Sequence, residues 1–152
     1  MKNPLKWLGA ACVTVALCAP AAAADLMMAR ANTEFPEAMT LLQSAISSRG
    51  YVISRLQEVN ENLQRRDYKS DMYRVVYFGK HDEVRRAIAK QPNLIPFLPL
   101  NITIFAEGDQ AILVTGDPKM LREFFPDPEL KPLFERWEKD MIEIMDEVRE
   151  AH

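Results

Sequence analysis

His81 and His152 are the only imidazoles in the chain, so proton-transfer or metal chemistry must be built around them or do without. His152 is the last residue of the sequence and is expected to be frayed. His81 is followed by Asp82 and Glu83, which places three possible metal-contacting groups side by side. Neighbouring positions at a helix start diverge around the axis, a poor geometry for sharing one ion. The plainer expectation is that Asp82 caps a helix and His81 lies on the surface. Met27 and Met28, or Met141 and Met145, are soft groups suited to Cu(I). Met141 and Met145 stand four apart within an apolar stripe, where core packing accounts for them better. Met27 and Met28 point to opposite faces if their segment is a strand.

Other chemistries find less support. One usable histidine without a Gly-x-Ser-x-Gly elbow gives no serine triad. Gly50, Gly79, Gly108 and Gly116 stand singly, so no glycine cluster resembles a phosphate loop. Glu135, Glu138, Asp140, Glu143 and Glu147 fall on what reads as the solvated face of a helix. Arg65, Arg66, Lys69, Arg74, Arg85, Arg86 and Lys90 make the middle of the chain basic. Gathered on one side, they would suit a small anion or an acidic partner; scattered, they are ordinary surface charge.

These residues need elements to hold them. Leu26 to Ala31 reads as an opening strand, and Phe35 to Arg49 as a helix with Pro36 in its first turn and Gly50 as its stop. Tyr51, Ile53 and Leu56 suggest a second strand, and Val59 to Lys69 a short polar helix or loop. Met72 to Phe78 is apolar enough to predict a strand shielded on both faces. His81 to Lys90 is a short helix with Val84, Ala87 and Ile88 turned inward, ended by the proline-rich stretch Gln91 to Pro99. Leu100 to Ala106 and Gln110 to Thr115 form a hairpin about Glu107-Gly108-Asp109. Asp117 is placed to cap a short helix through Phe124. Leu130, Leu133, Phe134, Trp137, Met141, Ile144, Met145 and Val148 follow the 3-4 spacing of a long amphipathic helix. The order predicts an α+β two-layer sandwich with a mostly antiparallel sheet.

The opening residues read differently. Lys2 and Lys6 precede an apolar run from Trp7 to Ala19, and Ala22 and Ala24 supply a small-residue cleavage pattern. Residues 1–24 are therefore expected to be a signal peptide, with residues 25–152 as one exported domain starting at Asp25. The run is shorter than the roughly twenty residues a membrane anchor needs. Cys12 and Cys18 are the only cysteines, and neither sits in a lipid-attachment pattern, so the mature chain is expected to be thiol-free and without a stable membrane anchor. The leader holds two of the nineteen basic residues and none of the twenty-two acidic ones, leaving the mature domain about five charges negative. That balance argues against nucleic acid as a partner.

From Tyr73 to Leu121 the chain resembles a known family. The strand ends in Tyr77-Phe78-Gly79; Gln91-Pro92 and Pro96-Phe97-Leu98-Pro99-Leu100-Asn101-Ile102-Thr103-Ile104 follow, then Glu107-Gly108-Asp109 and Asp117-Pro118. Together with Arg49-Gly50-Tyr51-Val52 upstream, this is similar to the family called domain of unknown function 302. The resemblance implies a small α+β domain, often a dimer, of unestablished activity, with some members beside sulfur or redox proteins. Many members carry Asn-Pro after the middle strand, where this chain has Lys80-His81-Asp82, and cysteine after the Leu-Pro step, where it has Leu100. A thiol role in relatives does not carry over.

The functional expectation is a periplasmic or secreted binding or accessory module without enzymatic activity or cofactor. Its partner is a small ligand or a periplasmic protein, with a homodimer as a further expectation. Tyr77, His81, Phe97, Pro99 and Asn101 are the candidate ligand-binding residues, because aromatic and polar groups meet there beside a rigid turn. The alternative is a metal-handling protein for copper or zinc, using His81 with a carboxylate or Met27 and Met28.

Overall fold

The computed structural model describes residues 26–59 and 72–151. The predicted leader and residues 60–71, which include most of the predicted polar segment, lie outside that range, as does His152. The chain runs β1 (Leu26–Ala31), α1 (Phe35–Ser48), β2 (Val52–Glu58), β3 (Tyr73–Gly79), α2 (His81–Lys90) and a 3-10 turn (Pro92–Phe97). It continues through β4 (Leu100–Glu107), β5 (Gln110–Gly116), α3 (Lys119–Phe124) and α4 (Lys131–Glu150).

The five strands form one sheet in the order β1-β5-β4-β3-β2, every neighbouring pair antiparallel. The sequence-adjacent strands β1 and β2 thus occupy opposite edges, and α1 makes the crossing between them. The two-layer α+β sandwich read from the sequence is the architecture observed. Gly108 takes φ +61° in the β4–β5 turn, a conformation that favours a residue without a Cβ.

Strand alternation sorts the sheet into two faces. Val76, Phe78, Ile102, Ile104, Ala111 and Leu113 meet Leu42 and Ile46 of α1 and Phe134, Trp137, Met141 and Ile144 of α4 in one buried cluster. Each large side chain removed from water there contributes roughly 1.5–3 kcal/mol. Pro132 sits in the first turn of α4, where its missing N–H costs little. Met27 packs against the core while Met28 is exposed, as opposite faces require.

The other face carries Tyr73, Val75 and Tyr77 across from Phe105, Thr103 and Asn101. Val75 and Ile112 are nearly buried there yet stand apart from the main core. This refines the expectation for Met72 to Phe78, whose strand is interior as expected, with Val75 buried on one face and Val76 and Phe78 on the other. Val76 and Phe78 enter the core, while Val75 and Tyr77 join a second, smaller apolar surface on the opposite side. The run of four apolar residues reflects two separate faces, each with its own neighbours.

Candidate functional site

The proline-rich turn is built from its prolines outward. Gln91 closes α2, Pro92 opens the 3-10 turn, and a cis Leu98–Pro99 bond leads into β4. Leu94, fully buried, anchors the turn in the core, while Ile95 and Phe97 remain exposed. The turn divides two grooves. One, of about 190 Å³, is lined by Phe97, Asn101, Thr115, Asp117, Met120 and Met141 among others. The other, of about 430 Å³, lies on the far side against Val52, Gly79, His81, Val84, Ile88 and Pro99.

The first groove has an aromatic wall and a polar end. Phe97, 39% exposed, stacks on Phe124 with centroids 6.5 Å apart and meets Phe125 edge-on at 5.7 Å. The Thr115 hydroxyl donates to the Asn101 carbonyl at 2.6 Å, which occupies that hydroxyl's proton. Asp117 Oδ1 accepts the Lys119 N–H at 2.8 Å, from one residue before the α3 N-cap Pro118. Asn101 meets this groove through its backbone carbonyl, while strand alternation turns its side chain to the outer sheet face opposite Tyr77. Such a site can stack an apolar group and hydrogen-bond a polar one.

The second groove is more apolar, with His81, Ser54 and Arg85 along it. Its walls include Val84 and Ile88, which are only half-buried; of the three residues expected to face inward on α2, Ala87 alone is buried. α2 sits with Ala87 toward the core and its other apolar face toward this groove. Asp82 does not cap α2. The N-cap is Lys80, so Asp82 falls inside the first turn, where it pairs with Arg85. Glu83 accepts from Arg136 at 2.5 Å and from Trp137 Nε1 at 3.4 Å. Both carboxylates beside His81 are thus held by other partners. Among the described residues, no three His, Cys, Asp or Glu side chains come close enough to hold an ion.

The five predicted site residues therefore separate. Phe97 and Asn101 share the first groove, and His81 and Pro99 share the second. Tyr77 lines neither. It lies on the outer sheet face opposite Asn101, with the Arg55 guanidinium 5.6 Å from its ring and its hydroxyl 3.4 Å from Gln57 Oε1.

The described members of the predicted basic region are dispersed, most of them in separate ion pairs. Arg74 pairs with Glu58 at 3.2 Å across β2 and β3, Arg85 with Asp82, and Lys90 with Asp127 and Glu129. The Glu129 hydrogen bond raises the Lys90 pKa, with Asp127 adding to it. Arg65, Arg66 and Lys69 lie outside the described residues. The carboxylates of α4 are more engaged than a solvated face implies. Glu143 and Glu147 flank Arg49 at 3.6 and 2.6 Å, Glu138 pairs with Arg122 at 2.8 Å, and Asp140 accepts the Tyr51 hydroxyl at 2.6 Å. Tyr51 is 3% exposed; burial, reinforced by the Asp140 bond, pushes its pKa well above the usual tyrosine range. Lys80 Nζ lies 4.5 Å over its ring. Sequence reasoning missed this pair, whose members are 89 residues apart.

A single antiparallel sheet backed by helices on one face, with no described helix long and apolar enough to cross a membrane, defines a compact α+β class of domain. Residues 27–148 match the family model "Domain of unknown function DUF302", and the chain belongs to that family. A solved structure described as the crystal structure of an uncharacterized conserved protein DUF302 from Bacillus stearothermophilus is similar in fold, with a TM-score of 0.73. The two share 21% sequence identity, over 82% of this chain and 98% of that one. No curated protein matches the chain.

Proposed function

We propose that this chain is an exported, non-enzymatic binding module that takes a small, partly apolar ligand in the groove beneath Phe97 and Asn101. The observation that supports this reading is an exposed, stacked aromatic pair beside a groove whose other end carries Thr115 and Asp117. An apolar group laid on Phe97 removes an exposed ring from water, while Thr115 and Asp117 orient the ligand's polar end. At about 190 Å³ the groove lies below the 300–1,000 Å³ typical of drug-sized ligands, which favours a ligand of few atoms. Self-association belongs to the same reading and is supported by the outer sheet face, where Met28 is 67% exposed beside Val114.

Titration of the isotope-labelled protein with benzamide, an aromatic ring bearing one amide, tests the placement by NMR. Saturable shifts centred on Phe97, Asn101 and Thr115 are expected. Phe97→Ala, which removes a stack worth about 0.5–1.5 kcal/mol, should weaken binding roughly two- to tenfold and leave thermal unfolding cooperative. Shifts that never saturate, or that persist unchanged in Phe97→Ala, would overturn this assignment.

A further inference from the structure

β2 is an edge strand: β3 pairs with one side of it, and no described strand pairs with the other. Its pairing with β3 is irregular between Ile53 and Arg55. In an unbroken strand, residues three apart point to opposite faces, so Val52 and Arg55 would be separated. The irregularity adds one residue at Ser54 and brings both to the outer face, Val52 opposite Gly79 and Arg55 opposite Tyr77. Val52, 49% exposed, borders the apolar groove against Val84, Ile88 and Pro99. Arg55 lies over the Tyr77 ring and has no carboxylate partner among the described residues. Arg85 and His81 also line the groove, with Arg85 paired to Asp82, so Arg55 carries the uncompensated charge of this edge among the described residues. On a chain that is acidic overall, this edge is locally cationic.

We propose that this edge docks an extended acidic peptide as a sixth strand beside β2, reading an apolar residue followed two positions later by aspartate or glutamate. Side chains two apart on a strand share a face about 6.8 Å from one another. In that register the apolar residue sits next to Val52 over the groove, and the carboxylate reaches Arg55 in the adjoining row. Main-chain hydrogen bonds to the open edge supply sequence-independent affinity, and the two side chains supply selectivity. The occupant is a peptide because a strand edge is completed by another extended backbone, and it is acidic because the rim is basic. This site is separate from the Phe97–Asn101 groove, so the two proposals fail independently.

The probe is a fluorescein-labelled, end-capped peptide of two Val-Thr-Glu-Thr repeats, which places Glu two positions after Val on one strand face, followed by fluorescence anisotropy at low and physiological salt. Saturable binding that weakens with salt is expected. Arg55→Glu should reduce affinity roughly fivefold, at the upper end of an exposed ion pair, and should confer binding to the charge-swapped peptide of Val-Thr-Lys-Thr repeats. N-methylation of alternate backbone nitrogens should cost roughly tenfold, since it removes the strand hydrogen bonds. Circular dichroism of Arg55→Glu confirms that the variant is folded. No binding at concentrations on the order of 1 mM would overturn the proposal. So would equal affinity for the N-methylated peptide, or sedimentation showing β2 already paired with β2 of a second copy.

Discussion

Replacing Tyr51 with phenylalanine isolates one hydroxyl. The ring keeps its edge contact with Phe78 at 5.4 Å and its place beneath Lys80, while the 2.6 Å bond to Asp140 disappears. A hydrogen bond to a charged acceptor contributes about 1.5–3 kcal/mol. Asp140 is half-exposed and regains water when Tyr51 is lost, so the lower end applies, about 1.5 kcal/mol at pH 8. The difference should then vanish with rising pH. In the unfolded chain Tyr51 loses its proton near pH ~10, whereas burial and Asp140 keep it protonated in the folded state. Above that pH the unfolded state binds fewer protons, so stability falls, by about 1.4 kcal/mol per pH unit for one such group. Tyr51→Phe lacks this loss. The two stability curves should therefore converge at about pH 11, one unit above the unfolded pKa. Urea unfolding of both proteins at pH 8, 9, 10 and 11 measures the difference, in which the remaining tyrosines and lysines cancel. A gap that stays constant to pH 11 would refute the reasoning.

Gly108→Val should destabilise the protein by about 1–2 kcal/mol, because φ +61° is disfavoured for a β-branched residue while the space around it is open. Chemical denaturation should show that loss with the benzamide shifts unaltered. The mature protein recovered from an expressing cell's exported fraction should begin at Asp25, and intact mass spectrometry would reveal retention of Cys12 or Cys18 instead.

The elements governed by short-range rules were legible in the sequence. The 3-4 stripe of α4 and the Glu107-Gly108-Asp109 turn are set by local periodicity and backbone preference, and both stand where predicted. Val84 and Ile88 were misplaced because periodicity shows that a helix has an apolar side but not what that side meets. The bond between Tyr51 and Asp140 depends on where two distant elements dock, which no local pattern encodes. The turn at Phe97 to Asn101 was visible through its prolines. Its position between two grooves was not, since α2 forms a wall of one and the segment from Gly116 through α3 closes the other. The irregularity at Ser54 likewise had no signature in the residues themselves.

The earliest and latest parts of this fold are obligate partners. β1 finds its neighbour only in β5, and it lies beneath α4, the final helix. As the polypeptide emerges from the ribosome, its leading strand therefore stays unpaired until almost everything else has been made. Closure of the sheet at that edge waits on the synthesis of β5, and the covering of β1 on α4 behind it.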